Sequence, residues 1–267
     1  MKRAALLLGL TLMLSGTAYA EEPAVRLYAA GSLTTAMTEM ARAFTASGGA
    51  LVTTVFGASG LLRERIEHGE GADVFASADI GNPQALARTG KAETPVVFAR
   101  NRLCALAAPG VDVTPETLLD RMLEPGIKLG TSTPKADPAG DYAWQVFEKA
   151  EKLRPGAFAV LDAKALKLTG GPQSPQAPPG RSTYAFLIGE RKADIFLTYC
   201  TNAMQVTREV AGARMLALPE PLAVGASYAF TVVSPARLSA ARFALFVMST
   251  QGQEILAQHG FTPVALR

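Results

Sequence analysis

Val25-Arg26-Leu27-Tyr28-Ala29-Ala30-Gly31-Ser32-Leu33-Thr34 is the stretch that decides the fold. Six residues with the character of a buried strand, Val25–Ala30, run into a Gly-Ser step. Behind it Met37, Met40, Ala41 and Phe44 recur at helical spacing across Thr34–Phe44, which predicts strand, tight turn and helix in direct succession. Gly48-Gly49 then stops the helix. The plan repeats twice: Leu51–Phe56 reads as a strand, Ser59–Ile66 as a helix ended by Gly69, Ala72–Ala76 as a strand and Pro83–Arg88 as a short helix. Strands alternating with helices in this way predict an α/β fold with a largely parallel sheet.

Toward the C-terminus, Val96–Ala99 and Leu103–Ala107 read as two further strands, and after Pro109 the composition becomes Pro-punctuated. There Pro115–Leu123 and Ala143–Leu153 predict helices and Leu129–Ser132 a strand. Thr169–Gly180 holds two adjacent glycines and four prolines, which reads as a surface loop. Helix Thr183–Arg191, strand Asp194–Tyr199 and helix Ala203–Ala211 follow; strand Tyr228–Val233 and helices Ala240–Phe246 and Gln253–His259 close the chain. The expected division is a first lobe of residues 21–104 and 222–267 and a second of 105–221, with the ligand cleft between them.

Residues 1–20 have the layout of a cleaved signal peptide: Lys2 and Arg3, an apolar run Ala4–Leu14, and Ala18-Tyr19-Ala20. The run is shorter than the roughly 20 residues that span a bilayer, so the expected location of the mature chain is the periplasm. Two of the three units of net charge sit on Lys2 and Arg3, so the exported product is close to neutral and no nucleic-acid partner is expected. Cys104 and Cys200 are the only cysteines. An oxidising compartment permits one disulfide between them, and two buried free thiols are the alternative.

Three places put a serine where a strand hands over to a helix: Gly31-Ser32-Leu33, Ala58-Ser59-Gly60 and Gly180-Arg181-Ser182. Helix N-termini offer unpaired N–H groups and the positive end of the macrodipole, so they hold an anion without a formal positive charge. Any one of these serines alone is as readily an N-cap. Placed at successive strand ends, they point to one crevice.

Leu27–Leu33, Phe56–Leu62, Gly71–Asp79, Pro138–Ala143, Leu197–Ala203 and the closing Gly260-Phe261-Thr262 resemble, in order and spacing, the periplasmic molybdate-binding proteins of bacterial ABC importers. The resemblance implies a two-lobed periplasmic-binding-protein fold of type II, each lobe a mixed, mostly parallel sheet flanked by helices. It further implies a monomer without cofactor or metal that captures molybdate or tungstate by hinge closure and delivers it to a cognate ABC permease in the inner membrane. On that resemblance Ser32 and Ser59 bind the oxyanion from the first lobe, and Ala139 offers a backbone N–H from the second. Tyr199 reaches the ligand through its hydroxyl, and a last backbone donor falls at Arg181 or Ser182. A dianion stripped of water needs several such donors. A site free of carboxylates also favours a fully deprotonated ligand.

This chain departs from the pattern at Gly60, Cys200, Asn202 and Arg181. Arg181 reads either as a charged clamp on the oxyanion or as a solvated residue at a helix start. The clamp keeps open other ligands, such as sulfate, a phosphorus oxyanion or a small organic acid. A serine hydrolase is the alternative from another class, but Gly57-Ala58-Ser59-Gly60-Leu61 lacks the second glycine of a nucleophile elbow. The only histidines, His68 and His259, stand at helix ends, so no catalytic residue is expected.

Overall fold

The computed structural model describes residues 22–179 and 181–265; the signal-peptide expectation for residues 1–20 lies outside them. The first part of the chain forms β1 (Val25–Ala30), α1 (Thr34–Ala46), β2 (Val52–Gly57), α2 (Ser59–Glu67), β3 (Val74–Ser77), α3 (Gly81–Arg88) and β4 (Val96–Ala107). It continues with α4 (Leu118–Leu123), β5 (Leu129–Ser132), α5 (Pro138–Leu153), α6 (Ala157–Lys164), β6 (Leu166–Thr169), α7 (Thr183–Gly189), β7 (Ile195–Tyr199), α8 (Cys200–Glu209) and β8 (Arg214–Ala217). It ends with β9 (Gly225–Val232), α9 (Leu238–Met248), α10 (Thr250–Gln258) and β10 (Thr262–Pro263).

One strand organises the molecule. β4 pairs with β9 over Val96–Arg102 and with β7 and β8 over Leu103–Ala107, so it belongs to both sheets and changes partners at Arg102/Leu103. Two strands were expected here, separated by the polar Arg100-Asn101-Arg102. These side chains instead lie within a continuous strand that bulges at Val97/Ala99. Strand pairing is indifferent to side-chain polarity wherever one face meets solvent.

The sheets are mixed rather than mostly parallel. β1 runs parallel to β2 and β3, and β5 to β6 and β7, while every pairing of β4 and β9 is antiparallel. Parallel pairs arise where a helix carries the chain back across the sheet. β9 instead enters the first sheet directly from the second half of the chain.

On α1 the predicted stripe faces inward, with Met37 and Met40 fully covered. Phe44 meets Phe243 and Phe246 of α9 at ring centroids of 5.3 and 5.5 Å. Each such side chain contributes on the order of 1.5–3 kcal/mol by leaving water, which fastens the C-terminal helices onto the first sheet. In the second sheet Phe147 of α5, Leu161 of α6 and Phe196 of β7 are fully buried.

Helix starts account for most of the remaining differences. α5 begins five residues before the expected Ala143, because the Asp137 side chain caps the Ala139 N–H and Pro138 occupies the first turn. α4 begins only at Leu118, since the Thr114 and Thr117 hydroxyls accept from each other's backbone N–H and hold a turn there. Cys104 and Cys200 are joined in a disulfide with Cα atoms 4.9 Å apart, tying β4 just past its change of partners to the first residue of α8.

Candidate functional site

Five helix beginnings meet around one cavity of about 600 Å³ between the two sheets. Its wall is made by Gly31-Ser32 ahead of α1, Gly57-Ala58 ahead of α2, Asp137 at the cap of α5, Ser182-Thr183 opening α7, and Tyr199 immediately before α8. β1, β2, β6 and β7 all end at this wall, so their carboxyl ends deliver the helix starts to one place. Each helix start carries N–H groups without intrahelical partners and a partial positive charge.

Tyr199 has 1% of its surface exposed, and its hydroxyl has no hydrogen-bond partner among the described residues. Burial, with Tyr228 and Asp137 close by, pushes this phenol well above its ordinary range, so it is a permanent donor. An unpaired buried hydroxyl costs on the order of 1–3 kcal/mol, so this residue of the cavity lining carries an unmet donor. Ser32 Oγ lies 2.9 Å from the hydroxyl of Tyr228 on β9. Sequence reasoning missed Tyr228, because nothing in the Tyr228–Val233 strand pattern distinguishes a tyrosine that supports a neighbour from one that only fills the core.

Ser59 is fully buried behind this wall rather than on it, and its hydroxyl accepts from the Ala78 N–H at 3.2 Å, leaving its own proton free to be donated. Ala139 is buried too, and its N–H donates to Asp137 Oδ1 at 3.1 Å. Ser182 lies on the wall and caps α7 by accepting from Ala185 N at 3.5 Å. Arg181 borders the mouth, but its guanidinium turns along α7, 3.9 Å from Glu190 and 5.8 Å from the centre of the Phe186 ring.

The expectation of a carboxylate-free site is corrected by Asp137, which lines the cavity. Its Oδ2 accepts from Ser132 Oγ at 2.5 Å, and Ser132 accepts from Thr169 Oγ1 at 2.9 Å. Burial pushes this carboxyl above its usual range; Ser132 and the Ala139 N–H pull it back, and Asp141 and Asp79 push it up again. The signal was present in Asp137-Pro138, a cap followed by a first-turn proline.

Gly60 explains one departure from the family pattern. Its N–H donates to Ala136 O at 2.9 Å, joining α2 of the first sheet to the turn before α5 of the second. A Cβ at this position would stand 2.3 Å from Lys135 O, so only glycine lets these backbones meet. Neither histidine approaches Ser59: His68 Nδ1 meets Glu64 O at 2.7 Å and His259 Nε2 meets Glu39 at 2.7 Å. The serine-hydrolase arrangement, a base bonded to the hydroxyl, is not formed.

Comparison with known proteins agrees with this architecture. The chain is 36% identical over 240 residues to an uncharacterised protein of Pasteurella multocida (strain Pm70), covering 90% of this chain and 98% of that one. It is 28% identical over 248 residues to the molybdate-binding protein ModA of Mycobacterium bovis (strain ATCC BAA-935 / AF2122/97), covering 88% and 83%. The sulfate-binding protein SubI of Mycobacterium tuberculosis H37Rv shares the fold with a TM-score of 0.73 at 19% identity, over 90% of this chain and 87% of that one. Residues 25–262 match the family described as bacterial extracellular solute-binding protein, and the chain belongs to that non-enzymatic family.

Proposed function

We propose that this protein captures a small tetrahedral oxyanion between its two lobes outside the cytoplasm and presents it to an ABC permease. One observation carries the reading: helix starts from both sheets converge on one cavity lined by Tyr199, whose buried hydroxyl has no hydrogen-bond partner among the described residues. Aligned N–H and O–H donors replace the hydration of a buried anion without an ion pair. Ser32, Ser182 and Tyr199 are the contacts at the wall, and Ser59 donates from behind it. Ala139 acts through Asp137, because its N–H is already engaged there. Arg181 stays outside the contact set. Molybdate and tungstate are the first candidates, in keeping with the ordered sequence blocks and the mycobacterial relative.

A second reading follows from size. Four oxygens at water's share of roughly 30 Å³ each fill about 120 Å³, well under the cavity's 600 Å³. An oxyanion bearing a short organic substituent that reaches toward Ser174 and Gln176 uses the remainder. Calorimetry of the ligand-stripped protein against molybdate, tungstate, sulfate, phosphate and small phosphorylated acids separates these readings. Heat from none of them ends the oxyanion assignment.

A further inference from the structure

A carboxylate on the wall of an anion cavity is a contradiction unless something neutralises it. Asp137 stands among the same helix starts that attract an oxyanion, and Gly170, in a left-handed conformation at φ 74°, lies directly over it. A Cβ on Gly170 would come 2.6 Å from Asp137 Oδ2, so the loop cannot be lifted to give the carboxylate more water without breaking this packing. Two of its acceptor positions are filled, by Ser132 and by the Ala139 N–H. An ionised carboxylate has about four, so acceptor capacity remains.

The groups that set its charge come from every side. Asp141 of α5 and Asp79 from the turn after β3 face it, and both disfavour ionisation. Tyr184 of α7, Tyr199 of β7 and Tyr228 of β9 feel its charge, and each phenol is held neutral by burial first of all. Among the described residues no lysine or arginine forms a salt bridge with Asp137, and Arg181, on the same cavity lining, is turned toward Glu190. Where an oxygen of a deprotonated oxyanion meets this carboxylate, both are charged acceptors with no donor between them; one proton placed between them resolves the conflict, as in any pair of like charges at a common site.

We infer that Asp137 is a specificity-determining residue that makes capture proton-linked: the cavity takes its oxyanion together with one proton, shared between the ligand and Asp137. The inference rests on the oxyanion reading of this cavity. A fully deprotonated dianion such as molybdate or sulfate binds only as Asp137 takes a proton from solvent. Hydrogen phosphate or a monoprotonated phosphonate arrives with a hydroxyl, which donates a hydrogen bond to Asp137 directly. The site therefore ranks oxyanions by whether they bring a proton, and this ranking changes with pH.

Calorimetry at pH 6.5 and 8.5 with molybdate, sulfate and phosphate, in buffers of different ionisation enthalpy, tests this on the wild-type protein and on Asp137→Asn. Asparagine caps a helix as well as aspartate does, so the variant keeps α5 while losing the charge. One linked proton changes affinity by up to about tenfold per pH unit. In the wild-type protein the deprotonated dianions are expected to bind at least about tenfold more weakly at pH 8.5, with proton uptake, while phosphate at pH 8.5 binds without it. In Asp137→Asn the pH dependence of molybdate and sulfate binding disappears and the balance shifts toward these two ligands. Intact binding with no proton uptake by the wild-type protein, or an unchanged ranking in the variant, overturns the role of Asp137 alone. No binding of any of the three by either protein removes the oxyanion reading and this inference with it.

Discussion

Ser32 Oγ and the hydroxyl of Tyr228 lie 2.9 Å apart, although 196 positions separate them in the chain. The ring of Tyr228 in turn meets that of Tyr199 at 5.4 Å, so a serine from the start of α1 and the unpartnered phenol, both on the cavity lining, are bridged by a fully buried tyrosine of β9 behind them. Side chains set this way lose little further freedom when a ligand arrives, which favours binding.

Ser32→Ala and Tyr199→Phe should each weaken oxyanion affinity by roughly 1.5–3 kcal/mol, the scale of a hydrogen bond to a charged group. Their thermal behaviour separates them from Ser59→Ala. Removing the Tyr199 hydroxyl deletes a buried donor without a partner, so the ligand-free Tyr199→Phe protein should melt no lower than the wild type. Ser59→Ala orphans the Ala78 N–H and should lose about 1–3 kcal/mol of stability as well as affinity. Calorimetric titration and melting curves on the three variants provide the check.

Gly60→Ala places a methyl group against Lys135 O and Ala136 O. Overpacking of this kind costs typically about 1–3 kcal/mol. Here the strain is relieved by moving α2 away from the turn before α5. The expected result is a protein with wild-type circular dichroism, a larger radius of gyration in solution scattering with ligand present, and weaker binding. Wild-type affinity with an unchanged radius would mean that this backbone contact has no part in closing the cavity.

Reduction of Cys104–Cys200 should lower unfolding stability by about 2–5 kcal/mol, the range for losing a native cross-link. The bond spans 96 positions and fixes the residue beside Tyr199. Denaturant titration with and without reductant measures the loss, and ligand affinity should fall in the same samples.

Asp73 accepts from the backbone N–H of Arg26 at 2.8 Å and from its guanidinium at 3.1 and 3.2 Å, with Arg237 3.5 Å away. Burial pushes this carboxyl up, but the Arg26 side chain and N–H, with Arg237, pull harder and leave it below its ordinary value. A folded-state pKa below the unfolded one means that the stabilisation is fully present above the unfolded value of about 3.9 and is lost as pH falls through the folded value. Both arginines are nearly half exposed, so screening keeps the effect near 1 kcal/mol, or about 2–4 °C in a chain of this size. Melting curves of wild type and Asp73→Asn should differ by that amount from pH 7 to pH 5, and the difference should shrink only as pH falls below the unfolded value of about 3.9 and through the lower folded one.

The alternation of strands and helices from Val25 to Arg88 was legible because each unit carries its own period and its own stop signal at Gly48-Gly49 or Gly69. Ser32, Ser59 and Ser182 were legible as a group, since each sits where a strand gives way to a helix; Ser32 and Ser182 line one wall, Ser59 is buried behind it, and Tyr199, also on the wall, was reached only through the family resemblance. Asp137 was not: the expected helix began at Ala143, which left the Asp-Pro cap looking like loop. α6 escaped because its apolar residues do not gather on one face; Val160 is exposed beside fully buried Leu161. The unity of β4 could not be read from Arg100-Asn101-Arg102, since pairing with β9 is a long-range fact that no local window contains.

β4 threads both sheets as one ribbon, with β9 laid beside it up to the change of partners. The halves of the molecule thus share a spine instead of hanging from slack connectors. Any swing between them has to pass through the two places where the chain crosses, Arg102 and Leu103 in β4 and the entry to β9 beside them, where the Leu103 N–H donates to Val224 O and a modest twist becomes a wide displacement at the lips. Stiffening that double crossing, rather than altering the lining, would be the most direct way to slow the traffic of ligand in and out.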